Sequence, residues 1–111
     1  MAVDVFASQP EKLLAAIRQE IAGGHIRAWT CDDDGDFTHA RTQWQKRAWF
    51  RPHVLHNQLR FAILAPTDRS LSVELYAIYH ARFIEMLLAH FDELIERVSA
   101  SALPELGDDV G

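Results

Sequence analysis

Apolar residues recur at helical spacing near the start of the chain. This stretch carries leucine and isoleucine on one face of a helix: Leu13, Leu14, Ile17 and Ile21. The spacing predicts a helix over residues 9–22. Gly23 and Gly24 end it, because glycine readily adopts the left-handed conformation found at helix C-termini.

A longer helix is predicted over residues 72–100. Its main apolar stripe comprises Leu75, Tyr79, Phe83, Met86, Leu87, Leu94 and Val98. Four further apolar residues, Tyr76, Ile84, Leu88 and Phe91, lie outside this stripe. A helix that is apolar around much of its circumference needs contacts on more than one side. We therefore expect a homodimer, in which a second copy covers the apolar surface that one chain leaves open.

Between the two helices the pattern changes to the alternation that is typical of strands. Four strands are predicted, over residues 25–31, 37–40, 46–54 and 59–65. An Asp-Gly pair at Asp34 and Gly35 favours a tight hairpin between the first two. The order is α-β-β-β-β-α, which predicts an α+β two-layer sandwich: a four-stranded, mainly antiparallel sheet with the N-terminal and the long C-terminal helix on one face.

A length of 111 residues, about half of them apolar, fits one domain with its own core. We assign residues 1–100 to a single α+β domain. Residues 101–111 are rich in proline, glycine and acids and are predicted to form a flexible acidic tail.

Cys31 is the only cysteine, so no internal disulfide can form. Since residues 1–10 lack the features of a signal peptide, the expectation is a soluble, cytoplasmic protein without a membrane segment.

Charge is segregated along the chain. Five of its 11 lysines and arginines lie between Phe37 and Thr67, together with two of its three tryptophans and none of its 16 acids. The net charge of the whole chain is −5. The segment should therefore create a local positive field on an acidic protein.

Strand alternation gives this segment a place in the predicted sheet. If the helices cover the face that carries Phe50, Phe61 and Ile63, the opposite face is cationic and aromatic. Its predicted binding residues are Arg27, Trp29, Arg47, Trp49 and Arg51. Arginine beside tryptophan suits recognition of carboxylates, so we expect a non-enzymatic binding or regulatory module for an acidic protein or peptide. The alternative is that these side chains only pair with the acidic hairpin and helices and solvate the sheet. Nucleic acid is disfavoured, because five cations on an acidic protein are few for phosphate binding.

The alternative function from another class is a small acid–base enzyme with a pocket around His80, Arg82 and Glu85. Their spacing does not favour it, because five residues on a helix put His80 and Glu85 some 140° apart. No cofactor motif is present. The acidic run from Asp32 to Asp36 fails the EF-hand spacing, since Arg41 falls where the bidentate glutamate is needed. We therefore predict no metal site and no cofactor.

Overall fold

A computed structural model describes residues 1–111 as one α+β unit with six strands and two helices. The strands are β1 (Ala2–Phe6), β2 (Trp29–Cys31), β3 (Phe37–His39), β4 (Trp49–Leu55), β5 (Gln58–Leu64) and β6 (Arg97–Ala100). The helices are α1 (Pro10–Ala22) and α2 (Val73–Phe91), and a 3₁₀ turn over Asp92–Leu94 follows α2. The predicted α+β class is confirmed, but the predicted count of four strands is wrong.

The six strands form one antiparallel sheet in the order β2-β3-β4-β5-β1-β6. Sequence reasoning missed β1 and β6, which pair with each other through Val5 and Val98. On its other side β1 pairs with β5, where Val3 faces Phe61. With only five residues, β1 has too few positions to show a clear alternation.

The predicted C-terminal helix over residues 72–100 extends nine residues too far at its C-terminal end. Helix α2 ends at Phe91, and the chain turns through Asp92–Leu94 into β6. Apolar residues continue past this turn at Ile95 and Val98, so spacing alone did not reveal where the helix ends. Neither helix is both long and apolar enough to span a bilayer.

One apolar core lies between the sheet and the two helices. Phe83 of α2 lies at its centre, with ring centroids 4.6 Å from Phe50 and 4.7 Å from Phe61. Phe37 contacts elements from both helices, since its ring is 6.1 Å from Phe83 and 6.0 Å from the guanidinium of Arg18. Both helices therefore pack on the same face of the sheet.

The C-terminal residues, predicted as a flexible tail, make backbone hydrogen bonds to the end of β5 and to the segment before α2. The amide of Asp109 donates to Ile63 O at 2.9 Å, and the amide of Leu71 donates to Val110 O at 3.0 Å. The Asp108 carboxylate accepts from the Ile63 amide at 2.9 Å and lies 3.2 Å from the N-terminal ammonium. The mobility of this segment in solution stays a prediction.

Candidate functional site

A cavity of about 550 Å³ opens between the C-terminal half of α2 and the β2–β3 edge of the sheet. This volume falls in the range of small-molecule and peptide side-chain pockets. The residues around it are His25, Ile26, Arg27, Ala28, Trp29, His39, Arg41, Gln43, Trp44, Arg82, Glu85, Met86, Ala89 and His90. Three arginines, three histidines and two tryptophans thus share the wall with a single acid.

The inner wall of this cavity is part of the core. Trp29 and His39 are directly opposite each other in the β2–β3 register, and both are buried, with exposures of 1% and 3%. Their ring centroids are 5.0 Å apart in an edge-to-face arrangement. The Trp29 ring also lies 4.9 Å from Phe83 of α2. Because core packing holds both rings, this wall is formed before any ligand arrives.

The outer wall is the loop over residues 40–48, which hydrogen bonds fasten to α2. The hydroxyl of Tyr79 donates to the carbonyl oxygen of Trp44. The Thr38 hydroxyl bonds Ala48 O at 2.8 Å, accepts from the Lys46 amide at 3.1 Å and lies 3.2 Å from the Tyr79 hydroxyl. These bonds hold an otherwise irregular loop against the helix.

The arginines of the cavity have few anionic partners within the chain. Arg82 is 3.6 Å from Glu85, and both side chains are exposed, so this pair is weak. Arg27 donates to Gly24 O at 3.3 Å, and the Arg41 side chain makes no salt bridge. Positive charge is therefore left uncompensated at the mouth of the cavity.

His39 is the most deeply placed titratable group of the cavity. Its Nδ1 accepts a hydrogen bond from the Arg41 amide at 3.1 Å. Burial, and then the charges of Arg41 and Arg82, lower the pKa of His39 below its usual value. The ring is therefore neutral at pH 7, and with Nδ1 accepting, its proton lies on Nε2.

A second depression continues the cavity along the edge of the sheet. It has a volume of about 430 Å³ and shares Arg27, Ala28, Arg41 and Gln43 with the first. The two together form a groove with arginines where they meet. We call the two together the cationic groove.

The structure does not bring the five predicted binding residues onto one open face. Trp29 is in the core, so its predicted exposure is wrong. Trp49 is partly buried in β4. Arg51 donates to both carboxylate oxygens of Asp36, at 3.0 and 2.7 Å. Arg47 lies 6.0 Å from the ring centroid of Trp44, and Arg27 lines the cationic groove.

The reason for the misplaced tryptophan is a change of phase before β2. The predicted strand over residues 25–31 put Ile26 and Trp29 on opposite faces. In the structure the strand begins at Trp29, and the amides of His25 and Ile26 both bond Glu20 O at the end of α1. Since the intervening residues turn rather than alternate, Ile26 and Trp29 are both buried.

The residues of the alternative enzyme pocket also separate. Arg82 and Glu85 line the cationic groove, but His80 does not. His80 is 5% exposed and packs against Phe50 and Tyr76, with centroids at 5.3 and 5.1 Å. A catalytic set of these three side chains is not assembled.

The acidic hairpin brings the carboxylates of Asp32, Asp34 and Asp36 within 4.8 Å of one another. Two of these carboxylates already accept hydrogen bonds from other groups of the fold. Asp32 Oδ1 accepts from the Asp34 and Asp36 amides at 3.0 and 2.9 Å, and Asp36 is bound by Arg51. Gly35 permits the turn through its positive φ of 84°.

Sequence reasoning did not identify His39, Arg41 and Trp44 as site residues. All three lie between Phe37 and Thr67, and the positive charge of this segment was the one sequence feature that could have indicated them. Helix α2 completes the site with Arg82 and His90, which lie about forty to fifty residues further along the chain, and this pairing depends on tertiary packing. No family model matches the chain, and comparison with curated proteins and with solved structures likewise gives no match.

Proposed function

We propose that the chain is a non-enzymatic binding module that takes an acidic segment of a protein or peptide into the cationic groove. One observation carries this proposal: Arg27, Arg41 and Arg82 surround one cavity in which Glu85 is the only acid. On a chain of net charge −5, such a concentration of positive charge attracts anions and accelerates their association.

The walls of the groove favour an acidic peptide over a bare anion. Half-buried Trp44 lines the groove together with the buried Ile26, Trp29 and Met86, so the arginines have apolar neighbours. Carboxylates accept paired bonds from arginine, while aliphatic stems pack on aromatic rings. An elongated groove with arginines at its middle suits an extended chain that places one or two carboxylates there.

The proposal can be tested with blocked hexaglutamate as a probe and hexaglutamine as its uncharged counterpart. Calorimetry should detect binding of hexaglutamate alone, weakening as salt is raised. The double variant Arg41→Gln/Arg82→Gln should lose roughly ten- to a hundredfold in affinity, as expected for removing two charge-assisted contacts.

The matched control is Lys12→Gln/Arg69→Gln, which changes the net charge equally with cations outside the groove. It should bind within about threefold of the wild type, because exposed distant charges are screened. Equal loss in both double variants would show a general charge effect and contradict the proposal.

A further inference from the structure

The two nitrogens of the His39 ring have different surroundings. Nδ1 is held by the Arg41 amide at 3.1 Å, and the ring is packed edge-to-face on Trp29. The orientation of the imidazole is therefore set by the fold. A ligand that enters the groove meets a ring that does not need to reorient.

Nε2 of His39 is accessible from the groove. It makes no hydrogen bond within the chain. If it were also fully buried, it would be a buried polar atom without a partner, but the only such side-chain atom is Nε2 of His80. His39 Nε2 therefore keeps contact with solvent, and His39 lines the cavity. The deep wall of the groove thus offers one N–H donor without a partner.

We infer that His39 is the specificity-determining residue of the cationic groove, donating from Nε2 to a carboxylate oxygen of the acidic ligand that Arg41 and Arg82 attract. The inference rests on the proposed function and adds the group that donates a hydrogen bond to the ligand. A neutral donor beside two arginines favours an anionic acceptor over an amide, because the arginines add charge attraction that an amide lacks.

This placement couples binding to protonation. In the empty groove, burial and the charges of Arg41 and Arg82 hold the pKa of His39 below its usual value. A bound carboxylate opposes those charges and raises that pKa. By linkage, binding takes up a proton and affinity increases as pH falls through the pKa of the bound state, until it levels off below the pKa of the free state.

Other charged groups line the same cavity, and their effects on binding must be distinguished from the effect of His39. The segment before β2 contributes His25, which is paired with Glu20 at 2.7 Å, and Arg27. The loop after β3 contributes Arg41, and α2 contributes Arg82, Glu85 and His90. His25 and His90 are the other two histidines that line the cavity.

Three variants separate these contributions. His39→Gln keeps an amide N–H near the position of Nε2 but does not titrate, and His39→Phe keeps a ring without a donor. His25→Gln/His90→Gln is the matched control, since it removes the two other histidines of the cavity. Affinity for hexaglutamate is measured at about pH 8 and about pH 6, where its carboxylates stay ionised.

The wild type should bind several-fold more tightly at the lower pH. His39→Gln should keep the wild-type affinity at the higher pH within about threefold and lose most of the gain on acidification. His39→Phe should bind roughly tenfold more weakly than the wild type at the higher pH, as expected for losing a hydrogen bond to a charged group, and should also lose most of the gain on acidification because its ring does not titrate. The control double variant should keep most of the gain.

Two results would overturn the inference. One is a wild-type pH gain that survives in His39→Gln and disappears in His25→Gln/His90→Gln. The other is unchanged affinity in His39→Phe, with thermal unfolding showing an intact fold. If hexaglutamate binding depends on Arg41 and Arg82 but not on His39, the proposed function stands and this inference fails. If the wild type does not bind at all, the proposed function itself fails.

Discussion

The two buried histidines of the chain differ in what lies beside the second ring nitrogen. In His39 it faces the cationic groove, whereas in His80 it is buried without a hydrogen-bond partner. His80 Nδ1 donates to Tyr76 O at 2.8 Å, which leaves Nε2 as an unused acceptor. Protonation of His80 is therefore expected to change the stability of the fold, and protonation of His39 is expected to change ligand binding.

Protonation of His80 should destabilise the fold. Burial lowers its pKa below the usual value, although the backbone oxygens of Tyr76 and Met1 partly oppose this. A group with a lowered pKa in the folded state contributes full stability above its unfolded pKa of about 6.5, and this contribution is lost as pH falls toward the folded value. Urea unfolding should show the free energy of unfolding decreasing on acidification below about pH 6.5.

His80→Leu should make this decrease shallower, because the titrating group is gone and an apolar side chain suits the site. His56→Gln, in the exposed β4–β5 turn, is the matched control and should keep the wild-type slope. His39 contributes a residual slope of the same sign, since its pKa is also lowered. An identical pH slope in wild type and His80→Leu would contradict the assignment.

At the level of elements, the sheet divides into well-paired strands and a weakly attached hairpin. β4 and β5 pair over seven positions, but β3 meets β4 at the single pair Phe37 and Phe50. Side chains supply the remaining links, through Thr38 and through Arg51 bound to Asp36. The cationic groove is built on this hairpin, so its geometry depends on those bonds together with the packing of Trp29 and Phe37 on Phe83.

Thr38→Val should therefore lower the free energy of unfolding by about 1–3 kcal/mol, because Ala48 O and the Lys46 amide lose a buried partner. Thr30→Val is the matched control. Thr30 is opposite Thr38 in the register but is exposed, with one long bond of 3.4 Å, so its loss should cost less than about 0.5 kcal/mol. Equal costs in urea unfolding would show that the Thr38 hydroxyl does not hold the loop.

The elements that sequence reasoning identified are those with a long pattern and a clear end. Helix α1 ends at Ala22, beside the glycines that predicted its end, and the long strand β5 was found almost in full. β6 was missed because the Arg97–Ala100 segment follows a helix without any glycine or proline between them. The site was less predictable, because a shift of phase in the turn before β2 decides whether Trp29 points outward or inward.

For the molecule as a whole, the homodimer stays a prediction. Phe91 is buried within the chain and no longer supports it, while Leu88 remains 50% exposed and Val73 73% exposed on α2. We expect light scattering at tens of micromolar to give roughly twice the chain mass of 12.7 kDa. Leu88→Glu should give the monomer mass, because a charge cannot be buried unpaired at an interface.

Leu106→Glu is the matched control for assembly. This side chain is also exposed but belongs to the C-terminal segment, so the variant should keep the dimer. A wild-type mass equal to one chain would contradict the dimer, and so would a dimer that Leu88→Glu leaves intact.

Across the whole chain, the arginines lie in two kinds of surroundings. On the sheet, Arg51 and Arg60 form salt bridges with Asp36 and Asp4. This pairing is the structural role that was the alternative to ligand binding. At the β2–β3 edge, Arg27 and Arg41 meet Arg82 of α2 around an open cavity. We therefore expect the acidic ligand to bind there and not on the sheet face.

Mapping of backbone amide shifts by nuclear magnetic resonance during titration with hexaglutamate tests that claim most directly. We expect the perturbations to cluster in residues 25–29, 39–44 and 82–90, and we expect none with hexaglutamine. Perturbations confined to residues 51–55 and 58–62, with the groove signals unchanged, would place the ligand on the sheet face and contradict it.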